Sequence, residues 1–175
     1  MVGIIDLIGN TPMVEIKKLN PNPNVRLFAK LEGNNPGGSV KDRASLNMIR
    51  SAIERGEIKQ GTKLIEATSG NTGIALAMIA RLFDLEIELV MPSTSTRERT
   101  LTMEAFGAKV TLMENMETCR DFAEEKGITD GYFLLNQFAN PDNYLSHYKS
   151  TGPEIWRDTN GVITHFVSAM GTTGT

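Results

Sequence analysis

The sequence predicts an α/β fold built on a parallel β-sheet. Short apolar runs typical of buried strands alternate with segments whose apolar residues recur at helical spacing, which is the pattern of successive β-α-β units. Polar turns rich in glycine, serine or threonine separate the two kinds of segment. With 175 residues, of which 40% are hydrophobic, the chain is long enough for about one domain with its own core.

The elements can be assigned in chain order. Strands are predicted at 25–32, 62–67, 87–92, 109–114, 132–137 and 163–170, and helices at 41–55, 71–83, 96–106, 117–127 and 143–159. Ser39 and Asp42 have the spacing of a capping box at the start of the first helix. Gly107 follows the third helix at a position where glycine commonly ends helices. The last strand, 163–170, is apolar enough to be fully buried.

Composition excludes several classes of partner. The net charge is −3 and the basic residues form no cluster, so we expect neither nucleic acid nor an anionic membrane as partner. The single cysteine, Cys119, rules out an internal disulfide and a metal site made of several thiolates. No segment has the form of a secretion signal or a membrane span. We therefore expect a soluble cytoplasmic protein without a metal.

The stretch GNNPGGSVKDRAS, residues 33 to 45, brings a lysine into the first turn of a predicted helix. The N-terminus of a helix carries roughly half a positive charge, which disfavours a cation there. Lys41 is either a solvated surface lysine, its charge offset by Asp42, or a reactive amine. Burial and the helix N-terminus would both lower the pKa of such an amine.

Two further loops suit anionic groups. The stretch ATSGNTG, residues 67 to 73, joins a strand to a helix at the sheet edge where open α/β folds bind ligands. It offers side-chain donors beside free helix N–H groups, and it is either an ordinary helix cap or a carboxylate or phosphate site. The loop 171–175, GTTGT, follows a predicted strand and suits a phosphate. A Walker lysine and a GxGxxG fingerprint are both absent, so nucleotides are poorly supported.

Together, a reactive lysine, a phosphate loop and a carboxylate loop suit pyridoxal phosphate with an amino-acid substrate. The segments NNPGGSVKDRA, IEATSGNTGIALA, QFANPDN, TGPEIW and THFVSAMGTTGT resemble, in order and spacing, the cysteine synthase (O-acetylserine sulfhydrylase) family, most closely its B isozyme. The resemblance implies a fold-type II pyridoxal phosphate enzyme. Its fold is a three-layer parallel-sheet sandwich like the tryptophan synthase β subunit, with only the N-terminal part present.

The resemblance also implies roles for individual residues. Lys41 forms the Schiff base with the cofactor and acts as the catalytic base, and Asn71 hydrogen-bonds the cofactor's ring hydroxyl. The cofactor's phosphate is held by Gly171, Thr172, Thr173, Gly174 and Thr175. The substrate carboxylate is bound by Thr68, Ser69, Asn71 and Thr72, with help from Gln137. The implied reaction is a β-replacement in which sulfide, or another small sulfur nucleophile such as thiosulfate, displaces acetate from O-acetyl-L-serine to make L-cysteine.

The same resemblance implies a domain organisation and partners. Residues 1–35 would be N-terminal strands of a larger domain, 36–145 a small mobile domain, and 146–175 the start of the large cofactor-binding domain. We expect a homodimer, with serine acetyltransferase as a further partner. The serine that meets the cofactor's ring nitrogen in this family lies in the C-terminal half, so we expect these 175 residues alone to be inactive.

Other activities remain open on these residues. Cystathionine β-synthase and O-phosphoserine sulfhydrylase share the same loops, whereas SVKDR and TSGNTG differ from the usual SFKxR and SxGNHxQ of serine and threonine dehydratases. A non-catalytic chain that only binds cofactor or partner is the alternative from a different class. The sequence assigns no role to His147, which it predicts on a surface helix.

Overall fold

The computed structural model describes residues 2–175. Six strands lie within this part of the chain: β1 (Met13–Glu15), β2 (Phe28–Lys30), β3 (Lys63–Ala67), β4 (Glu86–Pro92), β5 (Lys109–Met113) and β6 (Phe133–Leu134). The α-helices are α1 (Lys41–Glu54), α2 (Asn71–Leu82), α3 (Arg97–Ala105), α4 (Met116–Thr129), α5 (Pro141–Ser146) and α6 (Gly152–Asp158). Short 3₁₀ turns lie at Ile4–Leu7 and Glu32–Asn34, and a π-helical turn at His147–Thr151 joins α5 to α6.

The predicted parallel sheet is confirmed. Its strand order is β5-β4-β3-β6, and every neighbouring pair is parallel. Alternate residues of the strands point to opposite faces, so each face builds its own core. Leu64 and Leu89 pack with α1 and α2 on one face, while Ile65 and Val90 pack against α4 on the other. The result is helices on both sides of a parallel sheet, with the carboxyl ends of the strands at one common edge.

Three predicted strands differ in the structure. The strand predicted at 132–137 shrinks to Phe133–Leu134 within the parallel sheet. The strand predicted at 25–32 shrinks to Phe28–Lys30 and pairs antiparallel with Met13–Glu15 in a separate two-stranded sheet. Residues 163–170 form no strand, and Val167 and Met170 are more than 90% exposed. An apolar strand is stable only when neighbouring strands satisfy its backbone, and within residues 2–175 no strand lies beside this segment.

The start of α1 is also built differently from the prediction. Ser39 and Asp42 do not form a capping box, because the helix begins one residue later, with Val40 at the N-cap position. Ser39 Oγ instead accepts a hydrogen bond from the Lys41 N–H, and the Asp42 carboxylate accepts one from the N–H of Gly37. These two contacts fold the glycine-rich turn back onto the helix start, so Lys41 is the first helical residue.

The helix predicted at 143–159 is continuous but irregular. It runs from Pro141 to Asp158 with one π-helical turn inside it. Pro153 lies just after that turn, and a proline both lacks an N–H and clashes with the carbonyl four residues earlier, which accounts for the local widening. Within residues 2–175 no helix is both long enough and apolar enough to cross a membrane.

Candidate active site

The loop that follows β3 is organised by a buried threonine. Thr68 is 3% exposed, and its Oγ1 accepts hydrogen bonds from the N–H groups of Gly70 (3.3 Å) and Gly73 (3.2 Å). These contacts bend the chain from the strand into α2. Ser69 and Asn71 are consequently exposed at the carboxyl edge of the sheet. Two polar side chains therefore face outward beside the free N–H groups at the start of a helix.

Gln137 lies against this loop although it is 65 residues away from Thr72 in the sequence. The Thr72 hydroxyl donates to Gln137 Oε1 (2.9 Å), and Gln137 Nε2 donates to the carbonyl of Ala67 (2.9 Å). Both side chains are buried. The amide orientation is set by these two bonds, because one end must accept and the other must donate.

The glycine- and threonine-rich segment 171–175 reaches the same region. Asn143 Nδ2 donates both to the Gln137 carbonyl (2.8 Å) and to Thr172 Oγ1 (3.0 Å). Thr175 Oγ1 lies 3.5 Å from His147 Nε2. A side chain added at Gly171 would meet nothing within 4 Å, so that backbone is open to close approach.

Lys41 is half-buried at the start of α1. Burial lowers the pKa of its amine, and the amine forms no ion pair with any residue from 2 to 175. Its charge also acts on His147. Burial first, and then the positive charges of Lys41 and Arg43, lower the pKa of His147 to about 4, which keeps the imidazole neutral at neutral pH. Lys41, His147 and Thr175 thus belong to one neighbourhood.

A buried ion-pair network holds the helix that carries Lys41. The Arg43 guanidinium donates to both oxygens of Glu154 (2.6 and 2.7 Å) and to both oxygens of Glu32 (both 2.8 Å). Lys30 also pairs with Glu154 (2.8 Å). Burial opposes the charge on Arg43, but the two carboxylates outweigh it and raise its pKa. Two residues after Lys41, α1 is therefore fixed to α6 and to the chain after β2.

Another buried carboxyl lies beside Gln137. Glu66 is 2% exposed and accepts from the Gln137 backbone N–H (3.3 Å) and from Nε2 (3.4 Å). Burial raises the pKa of Glu66 to about 8, although the hydrogen bonds from Gln137 act in the opposite direction. At neutral pH, Glu66 is therefore mainly protonated and adds little negative charge next to the loop that follows β3.

The structure thus brings together most of the residues that the sequence singled out. Hydrogen bonds join Thr72, Gln137 and Thr172 in one chain, and the charge of Lys41 reaches His147. Sequence reasoning missed Asn143, His147, Glu66, Arg43 and Glu154. Arg43 and Glu154 are 111 residues apart, so no local spacing could have identified that pair. Asn143 lies only six residues after its partner Gln137, and both fall in the stretch QFANPDN, which was the available signal for Asn143.

Comparisons with known proteins identify the family of this chain. The family model described as "Pyridoxal-phosphate dependent enzyme" matches residues 4–175. Cysteine synthase B of Salmonella typhimurium is 56% identical over 171 residues, which are 96% of this chain and 56% of that protein. Cysteine synthase B of Pseudomonas syringae pv. syringae is 51% identical over 161 residues, 90% of this chain and 95% of that protein.

A solved structure is similar as well. The O-acetylserine sulfhydrylase isoform 3 of Entamoeba histolytica superposes with a TM-score of 0.91 at 44% identity, covering 98% of this chain and 54% of that one. The chain therefore spans a little over half the length of most of the relatives it matches.

Proposed function

This chain belongs to the pyridoxal-phosphate dependent enzyme family, and from that premise we propose that it carries the N-terminal part of the active site of a cysteine synthase. The proposed reaction makes L-cysteine from O-acetyl-L-serine and sulfide. The bond from the β-carbon to the acetate oxygen breaks and a carbon–sulfur bond forms, so that hydrosulfide and O-acetyl-L-serine give cysteine and acetate. The similarity to proteins named cysteine synthase B supports this choice of reaction.

The observation that carries the proposal is the state of Lys41. A half-buried lysine with a lowered pKa and no ion pair within residues 2–175 has a larger neutral fraction than a surface lysine. Only the neutral amine can attack a carbonyl carbon. The nearby imidazole of His147 is uncharged, and it neither pairs with the amine nor holds it in the charged form.

The surrounding residues fit pyridoxal phosphate. Gly171 leaves its backbone open, and the hydroxyls of Thr172 and Thr175 lie beside Asn143 and His147. The charge of Lys41 reaches the same histidine. We propose that Gly171, Thr172, Thr173, Gly174 and Thr175 hold the phosphate, that Lys41 binds the aldehyde carbon, and that Asn71 donates to the ring hydroxyl. When bound, the cofactor supplies an electron sink for negative charge at the α-carbon of the substrate.

We propose that the loop after β3 binds the substrate carboxylate. Ser69 and Asn71 are exposed there, while Thr68 and Thr72 are buried and shape the loop. Gln137 keeps Thr72 in place and adds an amide to the site. Lys41, as a neutral amine, would take the proton from the α-carbon. Closure of this loop over the carboxylate would exclude water from the amine.

The organisation of the full protein is part of the proposal. Residues 36–145 would form a small domain that moves on substrate binding, with residues 1–35 and 146–175 belonging to a larger one. We further propose a cytoplasmic homodimer with serine acetyltransferase as a partner. The support for these points is the family resemblance. On the same grounds we propose that the 175 residues do not complete a turnover without the serine that meets the ring nitrogen in this family.

The first test captures the cofactor. The purified protein is incubated with pyridoxal phosphate, reduced with borohydride and analysed by intact mass and peptide mapping. One adduct on Lys41, absent in Lys41→Ala and retained in Lys30→Ala, is the expected result. Lys30 is the matched control because it is a buried lysine already paired with Glu154. An adduct that is absent, or spread over surface lysines, would refute the role of Lys41.

The second test identifies the substrate. Cysteine formation by the full-length protein is measured with O-acetyl-L-serine and, separately, with O-phospho-L-serine or with serine and homocysteine. A clear preference for O-acetyl-L-serine is expected. A preference for either alternative would reassign the activity within the family. Capture of the cofactor by the full-length protein without turnover of any of these substrates would favour a non-catalytic, binding role.

A further inference from the structure

Asn143 lies between the two loops that the proposed function assigns to different ligands. Its Nδ2 donates to the carbonyl of Gln137 on one side and to Thr172 Oγ1 on the other. Gln137 in turn accepts from the Thr72 hydroxyl. Three hydrogen bonds therefore connect the carboxylate loop at Thr72 to the phosphate loop at Thr172, and two of them are made by one side chain.

The orientation of the Asn143 amide is fixed by its surroundings. The residue is 5% exposed, and exchanging the two ends of the amide would bring Oδ1 against the carbonyl of Gln137. With Nδ2 facing both acceptors, Oδ1 is buried and accepts no hydrogen bond from residues 2–175. It lies directly against the backbone of Gly174, where an added Cβ would collide with it. The amide nitrogen of Asn143 therefore donates to Thr172, while its amide oxygen lies against Gly174 without a hydrogen bond from residues 2–175.

We propose that Asn143 is a positioning residue that couples the phosphate loop 171–175 to the carboxylate loop through Gln137. This inference rests on the proposed function, because it takes its ligands from there. Asn143 need not touch either ligand. If the phosphate loop shifts, the bond to Thr172 is strained, and the same amide transmits the shift to the Gln137 carbonyl. Loss of the amide should therefore weaken the binding of both ligands.

The experiment is a double-mutant cycle on the full-length protein. Asn143→Ala, Thr172→Val and the double variant are titrated with pyridoxal phosphate, following the absorbance of the bound cofactor. Both single changes remove the bond from Asn143 to Thr172, so each is expected to weaken cofactor binding by at least about tenfold, the effect of one ordinary hydrogen bond. The double variant should lose less than the product of the two effects, because that bond is common to both changes. Multiplying effects would overturn the proposed coupling.

A second readout separates positioning from a merely structural role. Asn143→Ala should also raise the KM for O-acetyl-L-serine more than it lowers kcat, because the Gln137 carbonyl loses the hydrogen bond from Asn143. Asn140→Ala is the matched control. Asn140 caps the start of the same helical segment, and its side chain makes two hydrogen bonds, neither of them to the two loops within residues 2–175. Its loss should therefore lower thermal stability without changing cofactor affinity. Equal effects of the two variants on cofactor affinity would overturn the inference.

Two results keep this inference distinct from the proposed function. Wild-type protein that is captured at Lys41, together with Asn143→Ala and Asn143→Asp proteins that bind the cofactor normally, would overturn the role of Asn143 alone. Wild-type protein without any capture would overturn the proposed function and this inference with it. Should Asn143→Ala not fold, Asn143→Asp replaces it. That change keeps the shape but removes the donor and adds a negative charge near the phosphate loop, so cofactor binding should weaken further.

Discussion

Two buried glutamates on neighbouring strands should give opposite pH profiles of stability. Glu66 on β3 and Glu88 on β4 are each 2% exposed. In the parallel register, Glu66 lies opposite Leu89, which is the residue after Glu88. They point to opposite faces of the sheet. Glu88 contacts Lys126 (3.1 Å) and Lys109 (3.2 Å), whereas Glu66 has no cation within ion-pair distance among residues 2–175.

The magnitudes follow from the pKa values. Burial raises the pKa of Glu66 to about 8 from an ordinary 4.5. Burial also opposes ionisation of Glu88, but the hydrogen bonds from Thr111, Lys126 and Lys109 outweigh it and lower its pKa to about 2. Each pH unit of difference corresponds to about 1.4 kcal/mol. The pH-dependent change in the free energy of unfolding is therefore at most about 5 kcal/mol for Glu66 and about 3 kcal/mol for Glu88.

The signs differ because one group keeps its proton on folding and the other loses it more easily. Between pH 4.5 and about pH 8, the folded protein keeps the proton of Glu66 while the unfolded chain releases it. The contribution of Glu66 to the free energy of unfolding is therefore complete below pH 4.5 and is lost as the pH rises to about 8. Folded Glu88 stays ionised, so its contribution is present above pH 4.5 and is lost as the pH falls towards 2.

The assay is urea denaturation at several pH values from about pH 2.5 to about pH 8, so that the range covers the pKa windows of both glutamates. Between about pH 5 and about pH 8, the free energy of unfolding should fall less in Glu66→Gln than in wild type. At about pH 8 the variant should be the more stable of the two proteins. Glu88→Gln should be less stable than wild type at neutral pH, with the difference shrinking in acid. Parallel curves for wild type and Glu66→Gln would show that Glu66 is ionised in the folded protein and would refute the reasoning.

Two further changes test the scaffold around the site. Arg43→Met leaves Glu154 buried without its main partner and should cost about 3 to 5 kcal/mol of the free energy of unfolding, whereas Arg26→Met, which breaks an exposed pair, should cost little in the same urea titration. Gly73→Ala adds a Cβ 2.7 Å from Thr68 Cγ2, so the overpacking cost of about 1 to 3 kcal/mol should exceed the gain in helix propensity of about 1 kcal/mol. The same variant should bind O-acetyl-L-serine more weakly, with a smaller effect on cofactor binding. Unchanged binding of both ligands would contradict the close fit of this loop.

Much of the candidate site could be read from short stretches of sequence. Lys41 is at a helix start because a glycine-rich turn and an amphipathic segment meet there, and Thr68 to Thr72 are in a loop because they separate a strand pattern from a helix pattern. Gln137 was tied to this loop only by family resemblance, and its bonds to Thr72 and Ala67 appear only in three dimensions. The strand predicted at 163–170 was wrong, since apolar character alone does not supply a neighbouring strand.

From residue 41 to residue 159 the sequence by itself determined the alternation of helices and strands, the parallel sheet and the loops between them, because these depend on residue periodicity and turn chemistry over a few neighbours. Only the tertiary structure decided the protonation and orientation of the polar side chains. Glu66 and Glu88 are the same residue type in neighbouring strands, yet Glu66 is buried beside the uncharged Gln137 amide and Glu88 lies beside two lysines. Burial and charge partners are set by residues distant in the chain, and these fix the pKa of each group.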